Sequence, residues 1–295
     1  MKLWIETFAL TGASNQMLWS GALFGLKYMH QLDHRYSFNI GDLSDRLQQL
    51  LHNEQITTES FPKEEADTLV LSQGDKLELR EGNEQPQLFD DWIGLSHAVC
   101  FPRRTAEHRR KTAETDITIN LNLDGTGEND ISTGLDFLDH MLQQIARHGL
   151  IDLSLQCRGD LEVDEHHTIE DVAIALGTAI TKALGNKTGI DRYGFALPMD
   201  ESKCTVLLDL SGRPYLVFEG DFKREAVGDL PTEMVEHFFY SLAMNLKATL
   251  HISVEGENDH HKIEACFKSF AHCLRAAISR SERNLNILPS TKDLL

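Results

Sequence analysis

The sequence lacks any apolar run near the roughly 18 residues that a membrane helix needs. Its opening residues also lack a basic stretch leading into an apolar core and a small-residue cleavage site. Together these absences predict a cytoplasmic protein with no membrane partner. The 5 cysteines, Cys100, Cys157, Cys204, Cys266 and Cys273, include no Cys-x-x-Cys pair, which argues against a disulfide framework or a zinc ribbon and for buried reduced thiols. Positive charge is scarce: 28 Lys and Arg face 46 Asp and Glu, and the net charge of -18 opposes nucleic acid and anionic membrane surfaces. A small phosphate would need a focused basic cluster. With 295 residues, 41% of them apolar, the chain can build one large domain or two ordinary ones.

What the sequence has in unusual supply is histidine, 14 residues, concentrated after residue 139 in pairs or beside carboxylates. The first hundred residues read differently, with less regular apolar positions and a polar, acidic stretch from Asn53 to Asp91, so a boundary is placed near Arg103. This gives an N-terminal region 1–100 and a second region 101–295. The basic run Arg103, Arg104, Arg109, Arg110 and Lys111 reads as a solvated connector. Beyond it, Ile117, Ile119, Leu121 and Leu123 alternate as a strand, and Asp124-Gly125-Thr126-Gly127 supplies a turn. Leu138, Met141, Leu142 and Ile145 follow helical spacing, Ile151 to Cys157 returns to period two, and Ile169–Leu184 is an Ala-rich helix stopped by Gly185. The same order recurs after Arg192: strands at Thr205–Leu210 and Tyr215–Glu219, a helix opened by Pro231, a strand Thr249–Glu255 and a helix His260–Ile278. Strands alternating with helices predict an α/β (α+β) domain duplicated into half-repeats of about 104–192 and 193–295.

The duplication extends to the polar residues. Leu138-Asp139-His140-Met141 matches Val235-Glu236-His237-Phe238, and Glu165-His166-His167-Thr168-Ile169-Glu170 matches Asp259-His260-His261-Lys262-Ile263-Glu264, in the same order at similar separations. Residues four apart on a helix share a face, so His166 joins Glu170 while His167 projects roughly 100° away toward a different ion. The second copy repeats this with His260 or His261 beside Glu264, and His140 and His237 complete eight candidate ligands for two metal sites. Imidazole and carboxylate without thiolate suit Mn, Fe, Zn, Co or Ni. The neighbouring acids Asp139, Glu165, Glu236 and Asp259 are candidates for orienting the imidazoles.

From about Arg104 to Leu295 the sequence resembles imidazoleglycerol-phosphate dehydratase, a lyase (hydro-lyase) of histidine biosynthesis, through F-L-D-H-M-L (137–142), H-H-T-I-E-D (166–171), D-L-S-G-R-P (209–214), V-E-H-F-F (235–239) and D-H-H-K-I-E-A (259–265). The resemblance implies half-domains of a four-stranded sheet backed by two helices, of the ribosomal protein S5 domain 2-like kind. It also implies a large homo-oligomer with active sites between subunits and two Mn(II) ions per active site. One ion would take His140, His167, His260 and Glu264, and the other His166, Glu170, His237 and His261. Implied too is the dehydration of imidazoleglycerol phosphate to imidazole acetol phosphate, the metals stabilising an imidazolate or diazafulvene-type intermediate. Glu114 matches a substrate-contacting glutamate and joins Glu170 and Glu264 as catalytic candidates. The match carries Arg192, Arg213, Lys268, Ser290 and Lys292 over to the phosphate, and His148 to the substrate. Asp293 stands where the family's tail has glycine.

Some relatives of this family carry a histidinol-phosphatase of the haloacid-dehalogenase type at the N-terminus, but the D-x-D nucleophile motif is absent from residues 1–100. Ile40-Gly41-Asp42-Leu43-Ser44-Asp45 is only faintly similar to that superfamily's late metal-binding loop, so the region is of unknown fold and function, with a degenerate phosphatase remnant as one reading. Competing with the dehydratase are a non-catalytic metal-binding protein and a metallohydrolase acting on another phosphorylated substrate.

Overall fold

The computed structural model describes residues 1–12, 17–82, 85–195, 198–292 and 294–295; Asp293 lies outside them. Two units are separated by their internal packing, Met1–Pro102 and Arg103–Leu295.

The first unit runs β1 (Lys2–Ile5), α1 (Thr7–Thr11), α2 (Ala22–Gln31), β2 (Arg35–Ser37), α3 (Asp45–Asn53), β3 (Thr68–Gln73), β4 (Lys76–Glu81), β5 (Gln87–Phe89) and α4 (Trp92–Cys100). Its sheet has the order β2-β1-β3-β4-β5, with β1 parallel to both β2 and β3 and an antiparallel meander beyond. Parallel strands need helical crossovers, which α2 and α3 supply. The fully buried Trp92 donates its indole Nε1–H to the carbonyl of Ala9 at 2.8 Å, fastening α4 to α1. In the 40–45 loop, the Asp42 carboxylate accepts from Thr7 Oγ1 at 3.3 Å, which holds that loop just past the end of β1.

The second unit begins with β6 (Thr105–Lys111), β7 (Thr115–Asn122), β8 (Asn129–Ser132), α5 (Asp136–Gly149), β9 (Asp152–Gly159) and α6 (His166–Leu184). It continues with β10 (Tyr193–Gly194), β11 (Pro198–Met199), β12 (Ser202–Asp209), β13 (Tyr215–Glu219), β14 (Ala226–Val227), β15 (Leu230–Pro231), α7 (Glu233–Leu246), β16 (Thr249–Glu255) and α8 (Asp259–Ile278). The sheet orders β6-β7-β9-β8 and β10-β12-β16-β13 are the same arrangement twice, with β11 added alongside β12. In each sheet the last two strands are parallel, bridged by α5 in one half and α7 in the other. Each half is therefore a sheet with two helices, as the alternation and the family resemblance imply.

The apolar alternation places Ile117, Ile119 and Leu121 of β7 on the helix-covered face. Helices also pair across the halves, α6 with α7 and α5 with α8, so one continuous core runs through both. The five cysteines are buried thiols. No helix among the described residues is long and apolar enough to cross a membrane.

Two local expectations are overturned. The basic run is not a solvated connector, because most of it is edge strand β6, with Arg109 paired to Asp116 and Arg110 to Asp171 across 2.8 and 2.5 Å. Strand pairing through backbone groups is indifferent to side-chain charge, and neighbouring carboxylates neutralise the arginines. The helix assigned to Pro231 begins instead at Glu233, since Pro231 sits in the short β14–β15 hairpin.

Arg104 precedes β6 and makes a bidentate pair with Asp124, which also receives Arg280. Burial alone would raise the Asp124 pKa, but the Arg104 bonds outweigh it and leave it lowered. A depressed carboxylate contributes stability that is present above its unfolded value and lost as pH falls through its folded one. Asp124→Asn should therefore lower unfolding stability at neutral pH by about 1 to 2 kcal/mol. The deficit relative to wild type should shrink below about pH 4, as measured by urea unfolding across pH.

Candidate active site

The two double-histidine motifs start α6 and α8, and both starts are fixed by a side chain two residues before the first histidine. Asp164 Oδ1 accepts from His166 N at 3.0 Å, and Asn258 Oδ1 accepts from His260 N at 2.9 Å. One turn into each helix stands the glutamate: His166 Nε2 lies 3.8 Å from Glu170 Oε2, and His260 Nε2 lies 3.7 Å from Glu264 Oε2. The helix pairing across the halves delivers a third group to each. From α7, His237 Nε2 reaches within 3.4 Å of Glu170 Oε1, and from α5, His140 Nε2 comes within 3.9 Å of Glu264 Oε1.

These residues form two triplets, His140-His260-Glu264 and His166-Glu170-His237, each with its ligand atoms within 4.8 Å of one another. Each triplet takes residues from both halves. Their donor atoms suit a cation: His237 Nε2 is buried without a hydrogen-bond partner although a carboxylate oxygen lies close by. Ligand atoms about 2 Å from a shared ion would show such spacings.

His167 and His261 lie outside the triplets. His167 Nδ1 sits 3.1 Å from Asp160 Oδ2 and its Nε2 sits 3.6 Å from Glu114 Oε1; His261 Nδ1 sits 2.8 Å from Glu201 Oε2. The Asp160 hydrogen bond raises the His167 pKa, and the Glu201 bond does the same for His261. The His261 bond in turn takes Glu201 down to about 2.

The acids adjacent to the histidines in sequence do other work. Asp139 accepts from the backbone and hydroxyl of Thr133, at 2.8 and 2.6 Å. Buried Asp259 pairs with Lys262 at 2.5 Å and accepts from the backbone N–H groups of Lys223 and Arg224. Neither Glu165 nor Glu236 bonds a histidine among the described residues. A residue next to histidine on a helix points away from it, whereas Asp160 and Glu201 approach from strand ends. Sequence reasoning missed both. The usable signal was positional, since Glu201 immediately precedes β12 as Glu114 immediately precedes β7.

Lys268, one turn beyond Glu264 on α8, places Nζ 2.8 Å from Glu264 Oε1. Nearby, His148 and His272 have ring centroids 5.4 Å apart, and burial, followed by the Lys268 charge, lowers the His148 pKa. The other basic candidates gather elsewhere. Arg192 grips Asp209 with two nitrogens and donates Nη1–H to the carbonyl of Pro289 at 2.9 Å, anchoring the tail. Leu295 packs so closely on Gly212 that a Cβ there would lie 2.7 Å from the Leu295 carbonyl carbon. The Arg213 N–H is held by Ser211 Oγ, and Ser290 Oγ accepts from Lys292 N, both at 3.2 Å. Glu201 immediately precedes β12 and Asp209 ends it, so this tail cluster lies roughly 26 Å along the strand from the His261 end.

A family model for imidazoleglycerol-phosphate dehydratase matches residues 133–274, a span containing both triplets. Among solved structures, the imidazoleglycerol-phosphate dehydratase of Staphylococcus aureus is 35% identical with a TM-score of 0.55, and the match covers 60% of this chain and 99% of that one. The Pyrococcus furiosus enzyme, solved in complex with (S)-C348, is also 35% identical with a TM-score of 0.55, covering 64% of this chain and 100% of that one. The chain belongs to the imidazoleglycerol-phosphate dehydratase family.

The chain is also similar to curated proteins of histidine biosynthesis. The histidine biosynthesis bifunctional protein HisB of Stenotrophomonas maltophilia strain K279a is 55% identical over 205 residues, and that of Bacteroides fragilis is 55% identical over the same length. Each match covers 70% of this chain but only 57% and 54% of the relative, so the chain spans little more than half the length of these proteins. The family model's match begins at residue 133, beyond the first unit.

Proposed function

We propose that the chain catalyses dehydration of imidazoleglycerol phosphate to imidazole acetol phosphate in histidine biosynthesis, using two Mn(II) ions per active site. The observation that carries this reading is the pair of His-His-Glu triplets, each assembled from both halves of a family member. Bound metal would supply Lewis acidity toward the substrate's imidazole nitrogens.

The chain's own groups fill the remaining roles. Glu170 and Glu264 bring negative charge to their triplets, and Lys268 balances Glu264 while offering a cation to an anionic substrate. Glu114, beside His167 Nε2 and half exposed, moves the proton. His148, with its pKa lowered, stays neutral at physiological pH and offers a ring nitrogen to substrate. His167 and His261 are turned away from their own triplets, so they complete the ligand sets of neighbouring copies. Arg213, Ser290 and Lys292, at the far end of β12, bind the phosphate of a substrate held by another copy, with Arg192 fixing the tail that carries two of them. This division calls for a homo-oligomer with sites between subunits.

The test is direct. The purified full chain, saturated with Mn(II) and given imidazoleglycerol phosphate, should form imidazole acetol phosphate, and metal removal by chelation should stop it. Absence of product from folded, metal-loaded protein would overturn the assignment.

A further inference from the structure

Glu114 and Glu201 occupy equivalent places in the duplicated halves: each directly precedes the sheet's central strand and each faces the second histidine of its motif. Their engagements differ. Glu201 binds His261 at Nδ1, and its other oxygen accepts from Asn258 N at 3.2 Å, tying the β11–β12 turn to the residue that caps α8. Glu114 instead lies against His167 Nε2, because the Nδ1 position is already taken by Asp160.

The backbone explains how Asp160 reaches that place. Asp160 N donates to the carbonyl of Glu114 at 3.1 Å, extending the β7–β9 ladder by one residue. Gly159 lets this strand end press on α6, for a Cβ there would lie 2.0 Å from Thr168 Oγ1. Asp160 therefore arrives beneath His167 from the sheet.

An imidazole that donates Nδ1–H to a carboxylate presents its lone pair at Nε2, with raised basicity and restricted rotation. Resting on the metal-dependent reading above, we propose that Asp160 and Glu201 are positioning residues that fix His167 and His261 as Nε2 ligands. In consequence Glu114, alone of the two equivalent glutamates, is released for proton transfer. The duplication has assigned one job to unrelated carboxylates, a strand-end aspartate in the first half and the pre-strand glutamate in the second.

Mn(II) retention and half-saturation by the full chain test this, measured by chelator competition and metal analysis. Asp160→Ala and Glu201→Ala should each weaken Mn(II) binding by about 10- to 100-fold. Asp160→Asn and Glu201→Gln retain a carbonyl acceptor for Nδ1–H and should recover much of that loss, a rescue that separates orientation from general damage. Glu114→Ala should abolish turnover while leaving Mn(II) affinity at the wild-type value. Wild-type affinity in both alanine variants, or amide variants as weak as the alanine ones, overturns the proposal. If wild type itself binds no Mn(II), the metal-dependent reading fails beneath it, which is a different result from wild type binding two ions and the variants binding them equally well.

Discussion

Glu264→Gln is expected to reduce dehydratase turnover by about three orders of magnitude or more, several kcal/mol of lost transition-state stabilisation, and to halve the metal content of the chain. Glu264 is 8% exposed and faces three groups at once: His140, His260 and the Lys268 ammonium. The amide keeps the shape but removes the anionic donor, leaving the imidazoles beside an uncompensated lysine that repels a cation. The second triplet shares no residue with the first, so its ion should stay. Steady-state kinetics and metal analysis on the same preparation check both parts. Two ions and wild-type turnover in the variant would remove Glu264 from the metal site.

The second large effect is structural. Gly177→Leu should destabilise the protein by about 2 to 3 kcal/mol despite the better helix propensity of leucine. Gly177 lies where α6 crosses α7, and a Cβ there would stand 2.8 Å from the Leu242 carbonyl and 2.9 Å from Leu246 N. Backbone cannot rotate out of the way as a side chain can, so α7 must move. His237 rides on α7 whereas His166 and Glu170 ride on α6, so the displacement opens the second triplet. The first triplet, built on α5 and α8, should be spared. Denaturant unfolding should show the stability loss, and metal titration should show selective weakening of one of two sites.

Much of the second unit was legible in the sequence because its signals are local. Period-two alternation marked β7 and β9, helical periodicity marked α5 and α6, and the repeat of both motifs exposed the duplication. What escaped was structure whose side chains carry no period. Edge strand β6 carries four charged residues in seven and β8 is only 4 residues long, so each packs a single apolar residue, Ala106 or Ile131, against the core and is held mainly by ladder bonds to its neighbours. The first unit was illegible for a related reason: β2 and β5 have 3 residues each, too few to display alternation, and the parallel pairing of β1 with β2 and β3 joins distant segments.

The same division runs through the site. Because a helix's angular step is fixed by its backbone, the sequence alone determined that His166 shares a face with Glu170 while His167 looks elsewhere, and it left His260 or His261 to stand beside Glu264. The family resemblance implied which isolated histidine joins which pair, and the tertiary structure supplied the physical reason: α5 packs on α8 and α6 on α7 around the shared core. Only the tertiary structure assigned the imidazole partners to Asp160 and Glu201 rather than to sequence neighbours, and set Arg192 to holding the tail. Those contacts depend on where strand ends and helix starts meet in space, which no local periodicity encodes.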